Sequence, residues 1–329
     1  MQLSGARVLV AGGSGFIGTN LIARLLSEGC WVRATLHTRQ AVIEDPAIEY
    51  LTADLTSMED CRRVVDGVDY VFMCAASTSG AAVIQANPLV HVTPNVVMNA
   101  QLLEAAYLAK VKKFTWMSSN AAYPPTGDRP AKEEELFDGD PYDVYFGVAW
   151  MKRYTETLCR FYSQYLDPAM TTVVLRPSNI YGPHDDFDFA TSHVTAAMIR
   201  KVVERHDPIE MWGTGDDIRD VIYIDDFIDA IMLAVEKTTT YDPVNVGLGQ
   251  GYSLKEILKT ILEVDGYTDV NIRYDPSKPS TVPMRPIDTT KAQAVLGFKA
   301  TTSLRDGLRK TVEWYRESRD VLRPDATAR

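Results

Sequence analysis

Three glycines spaced to receive a phosphate are the first residues here whose types and positions imply chemistry. Val8-Leu9-Val10 is a short apolar run, and Gly12-Gly13-Ser14-Gly15-Phe16-Ile17-Gly18 follows it. Leu21, Ile22, Leu25 and Leu26 then recur at helical spacing. Strand, glycine loop and helix in that order open a dinucleotide-binding βαβ unit. Gly12 permits the tight turn, Gly15 lets backbone approach a pyrophosphate, and Gly18 lets the helix close onto the strand. Phe16 and Ile17 lie within this run, and the helix that follows has N-terminal N–H groups and a positive dipole end that suit phosphate. A second strand, 31–36, ends in His37-Thr38-Arg39. An acid there would take the ribose hydroxyls. Arg39 favours a 2′-phosphate instead, hence NADP over NAD, with an ordinary surface arginine as the alternative. A third strand ends in Asp54-Leu55, a pair placed to contact an adenine edge.

The elements that must position these groups alternate in type. Residues 68–76 read as a fourth strand running into a small-residue loop, 75–80, narrow enough to lie beside a nicotinamide ribose. A helix over 95–109, a strand over 111–119 ending in Ser118-Ser119, a loop over 126–140, a helix over 142–165 and a strand over 171–177 follow. That alternation predicts an α/β fold, a Rossmann-type doubly wound parallel sheet. Past Pro177 the texture changes. Helices are expected over 193–206, 254–264 and 304–316, the last two flanking a proline-rich stretch over 276–286. Residues 1–178, with a returning segment at about 216–246, are therefore expected to form the dinucleotide-binding domain, and 179–215 with 247–317 a smaller lobe. The polar residues 318–329 read as a loose tail. His91 and His206 read as surface or helix-end side chains, and Trp31 and Trp116 as packing.

Composition narrows the partners. The 329 residues carry a net charge of −10, which argues against nucleic acid or an anionic membrane. Cys30, Cys61, Cys74 and Cys159 are scattered without metal-ligand spacing and read as reduced thiols of a cytoplasmic protein. No stretch approaches the roughly 20 apolar residues of a spanning helix, and the N-terminus has no signal-peptide pattern.

Further motifs carry a resemblance. Tyr181-Gly182-Pro183-His184-Asp185, Ser192-His193-Val194, Trp212-Gly213-Thr214-Gly215 with Arg219, Ser277-Lys278-Pro279 and Leu296-Gly297-Phe298 resemble the extended short-chain dehydrogenase/reductases, over nearly the whole chain. Within them the chain is most similar to the GDP-L-fucose synthases, which epimerise and reduce a GDP-4-keto-6-deoxy sugar with NADPH. The resemblance implies that the glycine loop and Asp54 hold the dinucleotide and that the smaller lobe covers a GDP-sugar. It places Asn179, His193 and Val194 along the ligand and Arg219 and Arg285 on the diphosphate, where forked guanidinium donors match paired oxygens. A homodimer is implied too, with the faces of 95–109 and 142–165 paired as a four-helix bundle, the alternative being a monomer that buries those faces internally.

The catalytic pattern is incomplete. The family uses a serine and a Tyr-x-x-x-Lys pair, whose lysine lowers the tyrosine pKa for proton transfer. Ser119 and Lys152 match, and Lys152 is also implied as a ligand of the cofactor ribose, but Val148 occupies the tyrosine position. Tyr145 lies one turn earlier on the same face, displaced by about 5 Å. The epimerising pair of the fucose synthases maps to Ala121 and His184, so its cysteine is missing as well. Three readings are compatible with this. In one, Tyr145, Tyr123 or water substitutes in an epimerase-reductase. In another, the site runs a non-redox isomerisation, a mutase or epimerase reaction with His184 as acid/base and Lys152 steadying an oxyanion. In the third, the protein only binds the sugar nucleotide. His184, Asp185, Asp186 and Asp188 lie beside the expected diphosphate. Either Mg²⁺ or Mn²⁺ bridges them, or the acids face solvent and cap the next helix.

Overall fold

The computed structural model describes residues 3–77, 87, 89–278 and 282–322. Its centre is a parallel sheet of seven strands. β1 (Arg7–Ala11), β2 (Trp31–Leu36), β3 (Ile48–Thr52), β4 (Tyr70–Met73), β5 (Lys113–Met117), β6 (Thr171–Pro177) and β10 (Val244–Val246) lie in the order β3-β2-β1-β4-β5-β6-β10. The direction of winding reverses between β1 and β4, the place where a doubly wound sheet opens its ligand crevice. Strands covered on both faces must be apolar on both, and β1 shows why its run is uninterrupted. Val8 and Val10 enter one core while Leu9 and Ala11 enter the other. Helices α1 (Phe16–Ser27) and α6 (Ile224–Lys237) cover the first face; α2 (Met58–Val65), α3 (Leu89–Leu108) and α4 (Phe146–Gln164) cover the second.

A smaller sheet is organised on β9 (Ile218–Tyr223), which pairs with β7 (Asn179–Tyr181), β11 (Gly251–Ser253) and β13 (Met284–Arg285). β8 (Ile209–Trp212) and β12 (Ile272–Asp275) make a separate parallel pair. Helices α5 (Val194–Val203), α7 (Leu254–Asp265) and α8 (Leu304–Leu322) complete this lobe. The return to the large sheet is made by α6 and β10, whereas 218–223 belongs to the smaller sheet.

Several boundaries differ from the sequence expectation for local reasons. α3 begins at Leu89, not at 95, because Pro94 near a helix start forfeits only the bond to the Val90 carbonyl. The helix expected from 142 begins at Phe146, after a short 3-10 turn, Asp143–Tyr145. The loop over 126–140 contains another such turn, Glu133–Phe137, anchored by Ala131, Leu136 and Ile287 in a small core of their own. α8 runs to Leu322, so 318–322 is helical and not a loose tail; 323–329 lie outside the described residues, as do 78–80 of the small-residue loop and Pro279. His91 is buried, not superficial. Its Nδ1 lies 3.0 Å from the Ser77 carbonyl oxygen, which also accepts from Asn95 Nδ2 at 2.9 Å. Trp116 is packed as expected, and Trp31 lies half-buried between the guanidiniums of Arg7 and Arg33.

Candidate active site

The glycine loop leaves β1 and is held to β2: Gly12 N donates to Thr35 Oγ1 at 2.8 Å and Gly13 N to the Thr35 carbonyl at 2.9 Å. Gly12 has φ +85°, and a Cβ there would stand 2.7 Å from the Ala75 backbone. A Cβ on Gly18 would meet the Gly12 carbonyl oxygen at 2.1 Å, so Gly18 closes the helix onto the loop itself and not onto the strand. At the α1 N-terminus Gly15 offers no capping side chain, and no acid occupies the first turn. Those N–H groups and that dipole end suit the pyrophosphate of a dinucleotide. Phe16 and Ile17 are half-buried against the core. Asp54 is exposed at the end of β3, its carboxylate taking the Thr56 hydroxyl at 2.7 Å and backbone N–H at 2.9 Å, which hold its pKa below the usual value. Leu55 turns its side chain into the core, which leaves only its backbone for a contact at that position. Arg39 is exposed and reaches Asp186 of the smaller lobe at 3.6 Å.

Strand register builds the second cluster. Arg219 on β9 and Arg285 on β13 are paired positions of adjacent parallel strands, which sets two guanidiniums side by side. Asn179 opens β7 on the other flank of β9 and accepts from Arg285 Nη2 at 3.1 Å. Arg285 Nε is buried with no hydrogen-bond partner among the described residues. Burial, and then the Arg285 charge, lower the pKa of Arg219. Two crowded cations, one with an unused donor, favour a bridging dianion. Tyr145 lays its ring 5.0 Å from the Arg285 guanidinium carbon. His193 is the N-cap residue of α5, exposed and without a side-chain cap hydrogen bond, with Val194 following it; surrounding protein lowers its pKa, offset in part by Asp186 and reinforced by Arg285. Asn179, His193, Arg219, Arg285 and Tyr145 are therefore brought together.

His184 does not join them. It adopts φ +67°, uncommon outside glycine, and its ring sits 4.8 Å from Trp314 of α8, edge to face. Burial alone lowers its pKa. The neighbouring acids are consumed by the turn they form. Asp185 accepts from the Asp186 N–H, Asp186 from the Asp188 N–H and Asp188 from the Ala190 N–H, and Asp186 also takes the Thr191 hydroxyl at 2.6 Å. Among the described residues no three His, Cys, Asp or Glu side chains are placed to share a metal ion, so of the two readings of 184–188 the turn-forming one has the support. A run of acids beside a glycine reads the same in sequence whether it binds a cation or builds Asx turns.

The third cluster lies where β5 ends against α4. Ser119 is half-buried, its Oγ accepting from Ala121 N at 3.1 Å. Lys152 Nζ donates to the Met117 carbonyl at 2.8 Å and lies 4.8 Å from the Trp116 ring. Burial pushes its pKa down to about 8. Val148 stands one turn before it on the same helix. Tyr123 is no substitute phenol: its hydroxyl donates to Asn245 Oδ1 at 2.7 Å and accepts from Arg176 at 2.8 Å within the core. Desolvation drives its pKa far up. Beneath Ser119 and Lys152 lies a group the sequence reading did not single out, the buried carboxylate of Glu156, bonded to Ser118, Arg176 and Tyr241. Its signal was its spacing of four from Lys152.

Fold and glycine loop define the class, and the chain belongs to the NAD dependent epimerase/dehydratase family, which residues 8–247 match. Among its relatives, GDP-mannose 3,5-epimerase 1 of Oryza sativa subsp. japonica is 33% identical over 317 residues, covering 94% of this chain and 82% of that one. GDP-L-fucose synthase of Sinorhizobium fredii is 29% identical over 321 residues, covering 95% and 96%. Among solved structures, UDP-glucose 4-epimerase of Thermotoga maritima with UDP-glucose aligns at a TM-score of 0.85 and 27% identity, over 95% of this chain and 99% of that one. The Thermus thermophilus UDP-glucose 4-epimerase complex with NAD aligns at 0.82 and 26%, over 94% and 99%.

Proposed function

We propose that the protein is an enzyme acting on a GDP-hexose, and that its reaction is an isomerisation without net hydride transfer. The observation that carries this is the contrast at one site. Arg219 and Arg285 stand side by side, which supports a diphosphate there, while Val148 stands at the phenol position of the redox pair and Lys152 turns its ammonium to the Met117 carbonyl. The sequence relatives acting on GDP-mannose and GDP-fucose precursors support the nucleotide.

Epimerisation without hydride needs a carbon whose proton is already acidic, so the substrate best suited is a GDP-4-keto sugar. His193 takes the proton from the carbon beside the keto group. The Lys152 ammonium and the Ser119 hydroxyl steady the oxygen on which the enolate charge develops, and Tyr145 returns a proton on the other face. Arg219, Arg285 and Asn179 hold the diphosphate and fix the sugar against these groups. His184 keeps a neutral imidazole but spends its ring on Trp314, so we assign the proton to His193.

The glycine loop fits a nicotinamide dinucleotide on its own geometry. Gly12, Gly15, Phe16, Ile17 and Gly18 would hold it, with Arg39 and Asp54 at the adenosine end and Lys152 at the other ribose. When bound, such a cofactor supplies hydride transfer. An NADPH-dependent epimerase-reductase is the second reading, favoured by that intact loop.

Incubation with a GDP-4-keto-6-deoxyhexose, GDP-mannose and GDP-galactose in D₂O, with and without NADPH, separates the two. Deuterium gained beside the keto group with no loss of absorbance at the reduced nicotinamide band supports isomerisation; one NADPH consumed per sugar reduced ends it. We also propose a homodimer through α3 and α4, whose outer faces expose Leu89, Leu108, Phe146, Tyr154, Phe161 and Tyr165. Tyr154→Glu with Phe161→Glu should halve the mass seen by light scattering, and an unchanged mass would remove that interface.

A further inference from the structure

Glu156 is wholly buried, and so is the Arg176 beside it, with 2.6 Å between Oε2 and Nη2. Arg176 Nε also donates to both Glu156 oxygens, at 3.0 and 3.2 Å, and the Tyr241 hydroxyl donates to Oε2 at 3.2 Å. The Ser118 hydroxyl donates to Oε1 at 2.6 Å. Burial opposes the Arg176 charge, but Glu156 and Tyr123 more than offset it and hold the guanidinium above its usual pKa. A buried ion pair adds little net stability against apolar residues of equal volume, so stability alone does not account for one here.

Its position does. Ser118 is the residue before Ser119, and its own N–H is fixed to the Leu175 carbonyl at 2.7 Å. Arg176 precedes the turn into Asn179 on β7. Lys152 lies four residues before Glu156, one turn along α4 and on the same face. One carboxylate thus touches the strand end carrying Ser119, the strand leading to the ligand-binding Asn179, and the helix that presents Lys152.

We infer that Glu156 is a positioning residue of this site: it fixes Ser118, and so the turn bearing Ser119, while keeping a negative charge one helical turn from the Lys152 ammonium. This rests on reading Ser119 and Lys152 as site residues. The groups facing Lys152 are the Met117 carbonyl and the Trp116 ring from β5 and Glu156 from its own helix, and Glu156 is the charge that sustains the ammonium against burial.

The test does not depend on turnover. Lysine 13Cε resonances are followed by NMR through a pH titration of the full-length protein, with Lys152→Arg identifying the Lys152 signal. In wild type that signal should titrate near pH 8. Glu156→Gln should move the midpoint down by about one pH unit, the size expected for losing one charge at a turn's distance in a medium of intermediate dielectric. Glu156→Asp keeps the charge and should restore it. Loosening of the fold would let water in and move the midpoint up, toward an ordinary lysine, so an unchanged or raised midpoint in a folded Glu156→Gln protein overturns the inference. Should that variant not fold, Glu156→Gln with Arg176→Met removes the whole pair without orphaning a buried charge. Its Lys152 midpoint should also fall, and a rise or no change overturns the inference equally. A failure here leaves the GDP-sugar assignment standing, while absence of any GDP-sugar turnover leaves this titration unchanged.

Discussion

The paired arginines of β9 and β13, which we propose as the diphosphate end of the site, and the helix presenting Lys152, which we propose as its catalytic end, are finished to different degrees. On β9 and β13, register alone puts two guanidiniums beside each other, with one donor left over for an anion. On α4 the ammonium of Lys152 is engaged by a backbone carbonyl, and the position one turn before it is hydrocarbon. The difference teaches that holding a sugar nucleotide and transferring its protons are separable demands. Holding needs charge, and strand pairing supplies it over several positions. Proton transfer needs one hydroxyl or imidazole at one place, so a single side chain can delete it without disturbing the rest.

The largest effect should come from the imidazole. His193→Asn is expected to lower turnover about 10²- to 10⁴-fold, the range of a lost acid/base group, while GDP affinity by calorimetry stays within about threefold. Equal losses in both would move His193 to the binding end and break the contrast. Arg219→Ala should do the reverse. We expect GDP affinity to fall about 10- to 100-fold, as for a charge-assisted contact in a buried setting, with the remaining turnover at saturation little changed. Adding Arg285→Ala should cost less than it does alone, because the second cation no longer faces a like charge.

The Lys152 ammonium gives a smaller, pH-dependent effect. Its folded pKa lies near 8, below that of an ordinary lysine. Its charged form is therefore present below about pH 8 and lost as pH rises through that value. If the ammonium steadies the enolate oxygen, log kcat should bend downward there, approaching a slope of −1. Lys152→Arg, which stays charged, should shift that bend out of the accessible range. A rate that rises through pH 8 would instead make neutral Lys152 the base.

Much of the fold and the backbone of the glycine loop was legible because both rest on repeated local signals. The run of Val8 to Val10, the glycines and the helical recurrence of Leu21, Ile22 and Leu25 each constrain backbone directly, and the alternation of elements fixes a parallel sheet. The arginine pair was legible only as motif, since nothing local says that Arg219 and Arg285, on different strands, share a register. His184 and His193 show the limit more sharply. Both follow turn residues, and only packing against Trp314 in one case and the nearby Arg285 charge in the other tells them apart. The acids at 185–188 left a metal and a capping turn both open because an Asx turn and an ion ligand use the same carboxylate. Glu156 was passed over for the opposite reason: despite its spacing of four from Lys152, a charged residue inside a helix normally reads as solvated surface.

The smallest expected effect is the sharpest test of the contrast. Val148 is half-buried on a helix that already contains large aromatics at Phe146 and Trp150. Val148→Phe adds bulk and no proton, and Val148→Tyr adds the same bulk with a hydroxyl one turn from Lys152. If the site isomerises through His193 and Tyr145, the two variants should behave alike, each within about threefold of the other in deuterium exchange, because the added hydroxyl has no step to serve. Their difference cancels the steric change that either makes alone. A tyrosine variant that consumed NADPH in step with sugar reduction, beside a phenylalanine variant that did not, would mean that the remaining redox geometry is intact and short by one hydroxyl. The helix would then differ from the arginine end by a single deletion and not by a different chemistry.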